Sequence, residues 1–174
     1  MRIRRPISSV PAPALALALA LLVVAAACSS SGSSATPSFS KGLTVFYTAD
    51  GAHAPVLPAK FVNCVYGKIP AGDRTSVGKL TASSSTSALL DAAGVRVTRA
   101  SDQCDANLTN QLIEASAFAG APSTISASQK SCATSKIISS LSAIDDSKLT
   151  GSNTSTVSNA VQAAEKSCGI ATSG

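Results

Sequence analysis

The sequence predicts a mainly α-helical fold, a small disulfide-stapled bundle of about four helices built from two helix-loop-helix repeats, with a short strand-like or irregular N-terminal arm. Three observations lead to this fold class. Apolar residues recur every three or four positions through much of the second half. Four cysteines stand at the ends of two segments of similar length, and these segments resemble each other at an offset of about 68 residues.

The first 27 residues are expected to be a signal peptide that is removed on export. Arg2, Arg4 and Arg5 give a cationic start, and an uninterrupted apolar run follows from residue 14 to residue 27. A transmembrane helix needs about 20 apolar residues, so this run is short for a membrane span. A retained N-terminal anchor helix is the alternative interpretation of this segment.

Cys28 follows the apolar run directly, as Ala25-Ala26-Ala27-Cys28 before a Ser/Gly string. The stretch resembles the lipobox and tether of a bacterial lipoprotein precursor, in which the cysteine is diacylated and begins the mature chain. The resemblance implies lipidation of Cys28 (palmitate among the acyl chains), a flexible lipidated tether at residues 28–41, and a membrane partner contacted through the lipid. It places the protein on the extracytoplasmic face of the cell membrane. Secretion after ordinary cleavage, with Cys28 a free thiol, is the alternative.

The other four cysteines are expected to form two disulfides. The chain has five cysteines, and setting Cys28 aside leaves an even number in an exported protein. An unpaired thiol on an exposed tail would be open to oxidation, which also favours a modified Cys28. The disulfide cysteines are Cys64, Cys104, Cys132 and Cys168.

The pairing follows from helical rise. Cys132 and Cys168 lie at similar distances from the loop between them, so two antiparallel helices would bring them level. Cys64 and Cys104 form the matching pair in the first repeat. Cys104 lies far along the predicted second helix, so this pair needs either a helix break near Gly94 or a preceding segment that runs back along the first helix.

The internal repeat rests on two matched blocks. CVYGKI matches CATSKI at the opening cysteines, GKLTASSST matches SKLTGSNTST further on, and both copies end in a cysteine. Repeat one covers about residues 57–104 and repeat two about 125–168, inside a single domain at 42–174. Chance agreement in a Ser/Ala/Lys-rich sequence is the alternative.

The elements are then expected in the following order. Residues 42–56 read as strand-like and turn-rich, because Leu43, Val45 and Tyr47 alternate with other residues. Helices are predicted at about 57–69, 85–119, 124–143 and 153–168.

Charge argues against nucleic acid as a partner. The chain has 14 basic and 9 acidic residues, and removing the three leader arginines leaves 11 against 9, a net charge of +2. The remaining lysines and arginines are scattered along the sequence rather than clustered. We therefore expect no nucleic-acid partner.

No catalytic or metal-binding pattern is present in the sequence. His53 is the only histidine, and no carboxylate or thiol partner is suggested beside it. The cysteines lack C-x-x-C spacing, and Asp145-Asp146 is expected to open a turn or cap a short helix. The sequence predicts a protein that is not an enzyme and has no cofactor or metal.

The predicted function is a non-catalytic interaction module that binds an unknown envelope or extracellular protein partner. The alternative is a carrier or sensor that binds an apolar small molecule between the helices, in a pocket lined by Phe46, Phe61 and Phe118. Against that alternative, the aromatic residues, most of which precede residue 67, are expected to enlarge the thin core of an alanine-rich bundle.

Overall fold

The computed structural model describes residues 34–48, 54–82, 91–149 and 154–170, and within these ranges the chain is helical with no strand. The predicted mainly α class is confirmed. The elements are α1 Pro37–Phe46, α2 Ala59–Lys68, α3 Ala71–Gly78, α4 Ala92–Cys104, α5 Ala106–Ala117, α6 Ala127–Ser142, a short 3₁₀ helix Asp146–Lys148, and α7 Thr154–Ser167.

The strand-like interpretation of residues 42–56 was wrong for residues 42–46, because these residues belong to helix α1. The flexible tether predicted at residues 28–41 also ends earlier than expected, since α1 begins at Pro37. The Thr36 hydroxyl accepts a hydrogen bond from the Phe39 N–H at 3.3 Å and caps the helix. Phe39, Leu43 and Phe46 then fall on one buried face. This stretch carries both a period of two and a helical period, and packing selects the helical one.

The single helix predicted at 85–119 is two helices. The first begins at Ala92, where the Asp91 carboxylate accepts a hydrogen bond from the Gly94 N–H at 2.7 Å. Gly94 therefore lies in a capped first turn rather than in mid-helix. The second helix begins after Asp105, whose extended backbone ends α4 and whose carboxylate caps α5 through the Leu108 N–H at 3.0 Å.

Helix α4 occupies the centre of the described domain. It contacts α2, α3, α5 and α6, while α1 packs on α2 and α3, and α7 packs on α6. Val97 and Ala100 of α4 belong to the largest apolar cluster, which also takes in residues of α1, α2, α3, α5 and α6. Val95 of α4 belongs to a second cluster with residues of α6 and α7. Helix α4, the second helix of repeat one, is therefore buried against its own repeat on one side and against repeat two on the other.

Two arginines of α4 hold the short helix of each repeat. The Arg96 Nε donates to the Asp73 carboxylate of α3 at 2.6 Å. The Arg99 Nη1 donates to the Asp146 carboxylate of the 3₁₀ helix, also at 2.6 Å. Hydrogen bonding to Asp73 raises the pKa of Arg96, and burial opposes that change. One helix thus ties both connecting segments to the core.

Helices α1 and α3 meet backbone to backbone at Gly42. A Cβ placed on Gly42 would lie 1.8 Å from the Val77 carbonyl oxygen and 2.6 Å from its carbonyl carbon. Only glycine allows this approach, because any side chain would occupy the space of the α3 backbone.

Candidate functional site

The four downstream cysteines form the two disulfides expected from the sequence. Cys64 is bonded to Cys104 and Cys132 to Cys168, each with Cα atoms 5.9 Å apart. That spacing lies in the usual range for a disulfide.

The two disulfides close units of the same design. Cys64 and Cys132 are each the sixth residue of their helix. Cys104 is the last residue of α4, and Cys168 directly follows the last residue of α7. Each bond therefore encloses a helix, a short helix and a second helix. The Cys64–Cys104 bond was expected to need a helix break near Gly94 or a segment that runs back along the first helix. The helix that carries Cys104 begins at Ala92, close to Gly94, so Cys104 lies only 13 residues into it.

Two residues singled out from the sequence lie outside the described residues. These are Cys28, the predicted lipidation site, and His53. Asp145 and Asp146 are described, and Asp145 caps the 3₁₀ helix by accepting a hydrogen bond from the Ser147 N–H at 2.8 Å. That bond lowers the pKa of the Asp145 carboxyl. In the described ranges no group of three histidine, cysteine, aspartate or glutamate side chains could hold a metal ion.

The three phenylalanines of the hypothetical ligand pocket do not come together. Phe46 and Phe61 are buried in the largest apolar cluster, whereas Phe118 belongs to a third cluster with Ala133 and Ile170. Phe46 also contacts the Tyr47 ring edge-on, with centroids 4.9 Å apart. Phe46 and Phe61 therefore fill the core, and neither forms a common pocket with Phe118.

Several buried hydroxyls lie within the helical core. The hydroxyls of Tyr47, Thr98, Ser101, Thr109 and Thr134 are fully covered and have no hydrogen-bond partner of standard geometry in the described structure. Burial raises the pKa of the Tyr47 phenol, and the adjacent Ser101 hydroxyl opposes this effect. These groups lower stability, because a covered donor loses its hydrogen bonds to water.

An open groove of about 660 Å³ lies where α5 ends, α6 begins and α7 ends. We call it the Phe118 groove. Its apolar lining includes Phe118, Ile125 and Ile170, and Gln129 also lines it. The Gln129 amide donates to the Gly169 carbonyl at 2.9 Å, which joins the start of α6 to the end of α7. The groove lies beside the Cys132–Cys168 disulfide, since Cys168 packs against the cluster that contains Phe118.

A second cleft, of about 500 Å³, lies between the start of α1, the end of α2 and α3. We call it the Tyr66 cleft. The Arg74 guanidinium lies over the Tyr66 ring, 4.4 Å from its centroid, and the Arg74 Nε donates to the Ile69 carbonyl at 3.0 Å. Phe39 contacts the same Tyr66 ring edge-on at 5.0 Å. Lys79 supplies a second positive charge to the lining.

No pattern in the sequence indicates the Tyr66 cleft. Arg74 and Lys79 look like isolated charges in a scattered set, and Tyr66 looks like a packing residue. They meet because the chain turns between Ile69 and Pro70 and folds α3 back beside α1. Pro70 in the sequence is consistent with a turn at this point. The sequence does not indicate on which side of α2 the following helix α3 packs.

Comparisons with family models, with curated proteins and with solved structures returned no match for this chain. Within the described ranges, none of the helices has the length and apolar character required to cross a membrane.

Proposed function

We propose that this protein is an exported lipoprotein without catalytic activity, anchored by a lipid on Cys28 to the outer face of a bacterial membrane, where its helical domain acts as an interaction module. The observation that carries the proposal is the division of the cysteines. Of five in the chain, four are consumed by two bonds within the domain, which leaves Cys28 outside both.

The two disulfides support export. Structural disulfides form and persist in oxidising compartments and are rare in the reducing cytosol. Each bond joins helices of one closed unit, as expected of bonds that stabilise a fold rather than take part in redox chemistry. An exported chain with one remaining cysteine after a short apolar leader fits the lipobox interpretation.

The interaction role is supported by where the domain keeps its apolar groups. The phenylalanines of α1 and α2 are buried in the core, and the described surface carries open clefts near helix ends. Open clefts suit contact with a partner's surface or headgroup better than catalysis, which needs a nucleophile, an acid or a base held against the substrate. The partner class is an envelope or extracellular protein.

The mass of the exported protein tests the anchor. We expect a mature chain that begins at Cys28 and carries diacylglyceryl on that residue, and we expect the protein to partition into the detergent phase. The Cys28→Ala variant, expressed in the same host, should appear in the aqueous phase without the added mass. A wild-type chain with an unmodified cysteine, or with a different first residue, would refute the anchor and leave plain secretion.

The alternative, a carrier or sensor for an apolar small molecule, is supported by the Phe118 groove. Its volume lies within the range of small-molecule pockets, and Phe118, Ile125 and Ile170 give it an apolar wall. Native mass spectrometry of the exported protein tests it. A bound small molecule should be lost from an Ile125→Asp variant and kept in a Val56→Asp variant, since Val56 is 95% exposed and its substitution leaves the fold untouched.

A further inference from the structure

Arg74 carries hydrogen-bonding capacity that the described part of the fold does not use. Its Nε is taken by the Ile69 carbonyl, but its two terminal amino groups have no acceptor among the described residues. The arginines of α4 differ in this respect, since Arg96 and Arg99 are each paired with a carboxylate. Arg74 forms part of the wall of the Tyr66 cleft.

The guanidinium is held in place before any ligand arrives. It lies over the Tyr66 ring, and that ring is itself fixed by the edge of Phe39, which is 1% exposed. The bond to Ile69 sets the orientation of the guanidinium plane. Little side-chain entropy remains to be lost on binding, and such preorganisation increases affinity.

The remaining lining of the cleft suits an oxyanion. Lys79 adds a second positive charge, and Thr36 and Ser38 add a pair of hydroxyls that lie 3.1 Å apart and share one hydrogen bond. The Thr75 hydroxyl also belongs to the lining, but it donates to the Ala71 carbonyl of its own helix at 3.2 Å. No carboxylate belongs to the described lining. Asp73, the sequence neighbour of Arg74, is instead paired with Arg96 on α4, so it does not neutralise the cleft.

The geometry points to a phosphate-binding site in the Tyr66 cleft. The planar fork of Arg74 can donate two parallel hydrogen bonds to one phosphate group, and the Lys79 ammonium adds a second charge and a further donor. The cleft volume of about 500 Å³ exceeds that of a phosphate ion and leaves room for an organic group that carries the phosphate.

Two sources can supply this phosphate, a phospholipid headgroup or a soluble phosphate ester. Thr36 lies eight residues after Cys28, a separation that an extended chain covers in at most about 29 Å. A lipid on Cys28 would therefore keep the cleft within reach of the membrane surface. The lipid source rests on the proposed anchor, whereas the phosphate site itself does not.

Titration with inorganic phosphate at constant ionic strength tests the site. The chain has no tryptophan and only two tyrosines, so in a Tyr47→Phe background the intrinsic fluorescence reports on Tyr66 alone. We expect saturable binding that is weakened at least about tenfold by Arg74→Gln, because a charge-assisted hydrogen bond contributes about 1.5–3 kcal/mol.

Lys166→Gln is the matched control, since it makes the same change in net charge on α7, away from the helices that form the cleft. It should change the affinity less than twofold. Lys79→Gln provides a second variant in the cleft, with a smaller expected loss, should Arg74→Gln fold poorly. Absence of saturation, or equal losses in the Arg74 and Lys166 variants, would overturn the proposal.

The exported Cys28→Ala chain distinguishes a phospholipid headgroup from a soluble phosphate ester as the ligand. Without an acyl chain on residue 28, this variant would bind vesicles through its folded surface. Arg74-dependent binding to phosphatidylglycerol vesicles, displaced by inorganic phosphate, would identify a lipid headgroup. Arg74-dependent binding of glycerol phosphate without such vesicle binding would identify a soluble ester. If the chain bound neither the vesicles nor glycerol phosphate, the phosphate site would be refuted. The lipid anchor is tested separately, by the mass of the exported wild-type protein.

Discussion

Replacement of Gly42 by alanine should separate α1 from α3. The new Cβ would lie 1.8 Å from the Val77 carbonyl oxygen, whereas ordinary contact begins near 3.4 Å. The two backbones would have to move apart by about 1.6 Å, and neither can yield as a flexible side chain could. Overpacking of this kind costs about 1–3 kcal/mol.

Two further effects act on the same variant. Alanine favours a helix over glycine by about 1 kcal/mol, which offsets part of the clash. The displacement also loosens Phe39, Leu43 and Phe46, and each fully buried side chain of this size contributes about 1.5–3 kcal/mol. We therefore expect Gly42→Ala to lower the free energy of unfolding by about 2–3 kcal/mol.

Urea denaturation followed by far-ultraviolet circular dichroism, with the disulfides intact, measures this change. Gly67→Ala in α2 is the matched control, because a Cβ there meets no atom within 4 Å. It should increase stability by about 0.5–1 kcal/mol through helix propensity alone. If Gly42→Ala proved as stable as the Gly67→Ala variant, the close approach of α1 and α3 would be refuted.

Three other predictions concern the two repeats and the buried phenol. Replacing Cys132 and Cys168 together by alanine should cost about 4 kcal/mol in the free energy of unfolding, because the bond closes a loop with a sequence separation of 36; an unchanged urea midpoint would contradict this. Asp73→Asn should lower the free energy of unfolding by about 1–2 kcal/mol. This is less than the loss of a fully buried ion pair, since the Arg96 and Asp73 side chains keep 24% and 13% exposure. The same urea titration measures the loss, and added salt should make it smaller. The free energy of unfolding should fall as the pH rises above about 10, because the unfolded chain then releases the Tyr47 proton while the folded chain keeps it. Tyr47→Phe should flatten this part of the plot of unfolding free energy against pH. An unchanged slope in that variant would exclude Tyr47 as the source of the pH dependence.

The elements that the sequence predicted well are those governed by local rules. The helix predicted at about 124–143 is α6, Ala127–Ser142, and the helical class follows from apolar spacing. The disulfide pairs follow from cysteine positions within a repeated unit. Each of these signals lies within a few residues or in a direct match between two copies.

The errors arose where two local signals competed. Leu43, Val45 and Tyr47 alternate as in a strand, yet Phe39, Leu43 and Phe46 also match a helix, and burial against α2 and α3 decides between them. The single helix predicted at 85–119 was the second error, because the helical spacing of apolar residues continues on both sides of Asp105. The Asp105 side chain caps α5 and so separates it from α4. Periodicity alone does not locate a break in a helix.

The sequence by itself determined the helical class and the two cysteine-closed units, because each depends on neighbouring residues or on matched spacing. Only the tertiary structure decided which helix is central, which glycine admits a neighbouring backbone, and which arginines pair with carboxylates. Arg74, Arg96 and Arg99 look equivalent along the chain. Packing pairs Arg96 and Arg99 with carboxylates and places Arg74 over the Tyr66 ring, with no acceptor for its terminal amino groups among the described residues. These contacts between distant segments depend on how the helices pack rather than on local sequence.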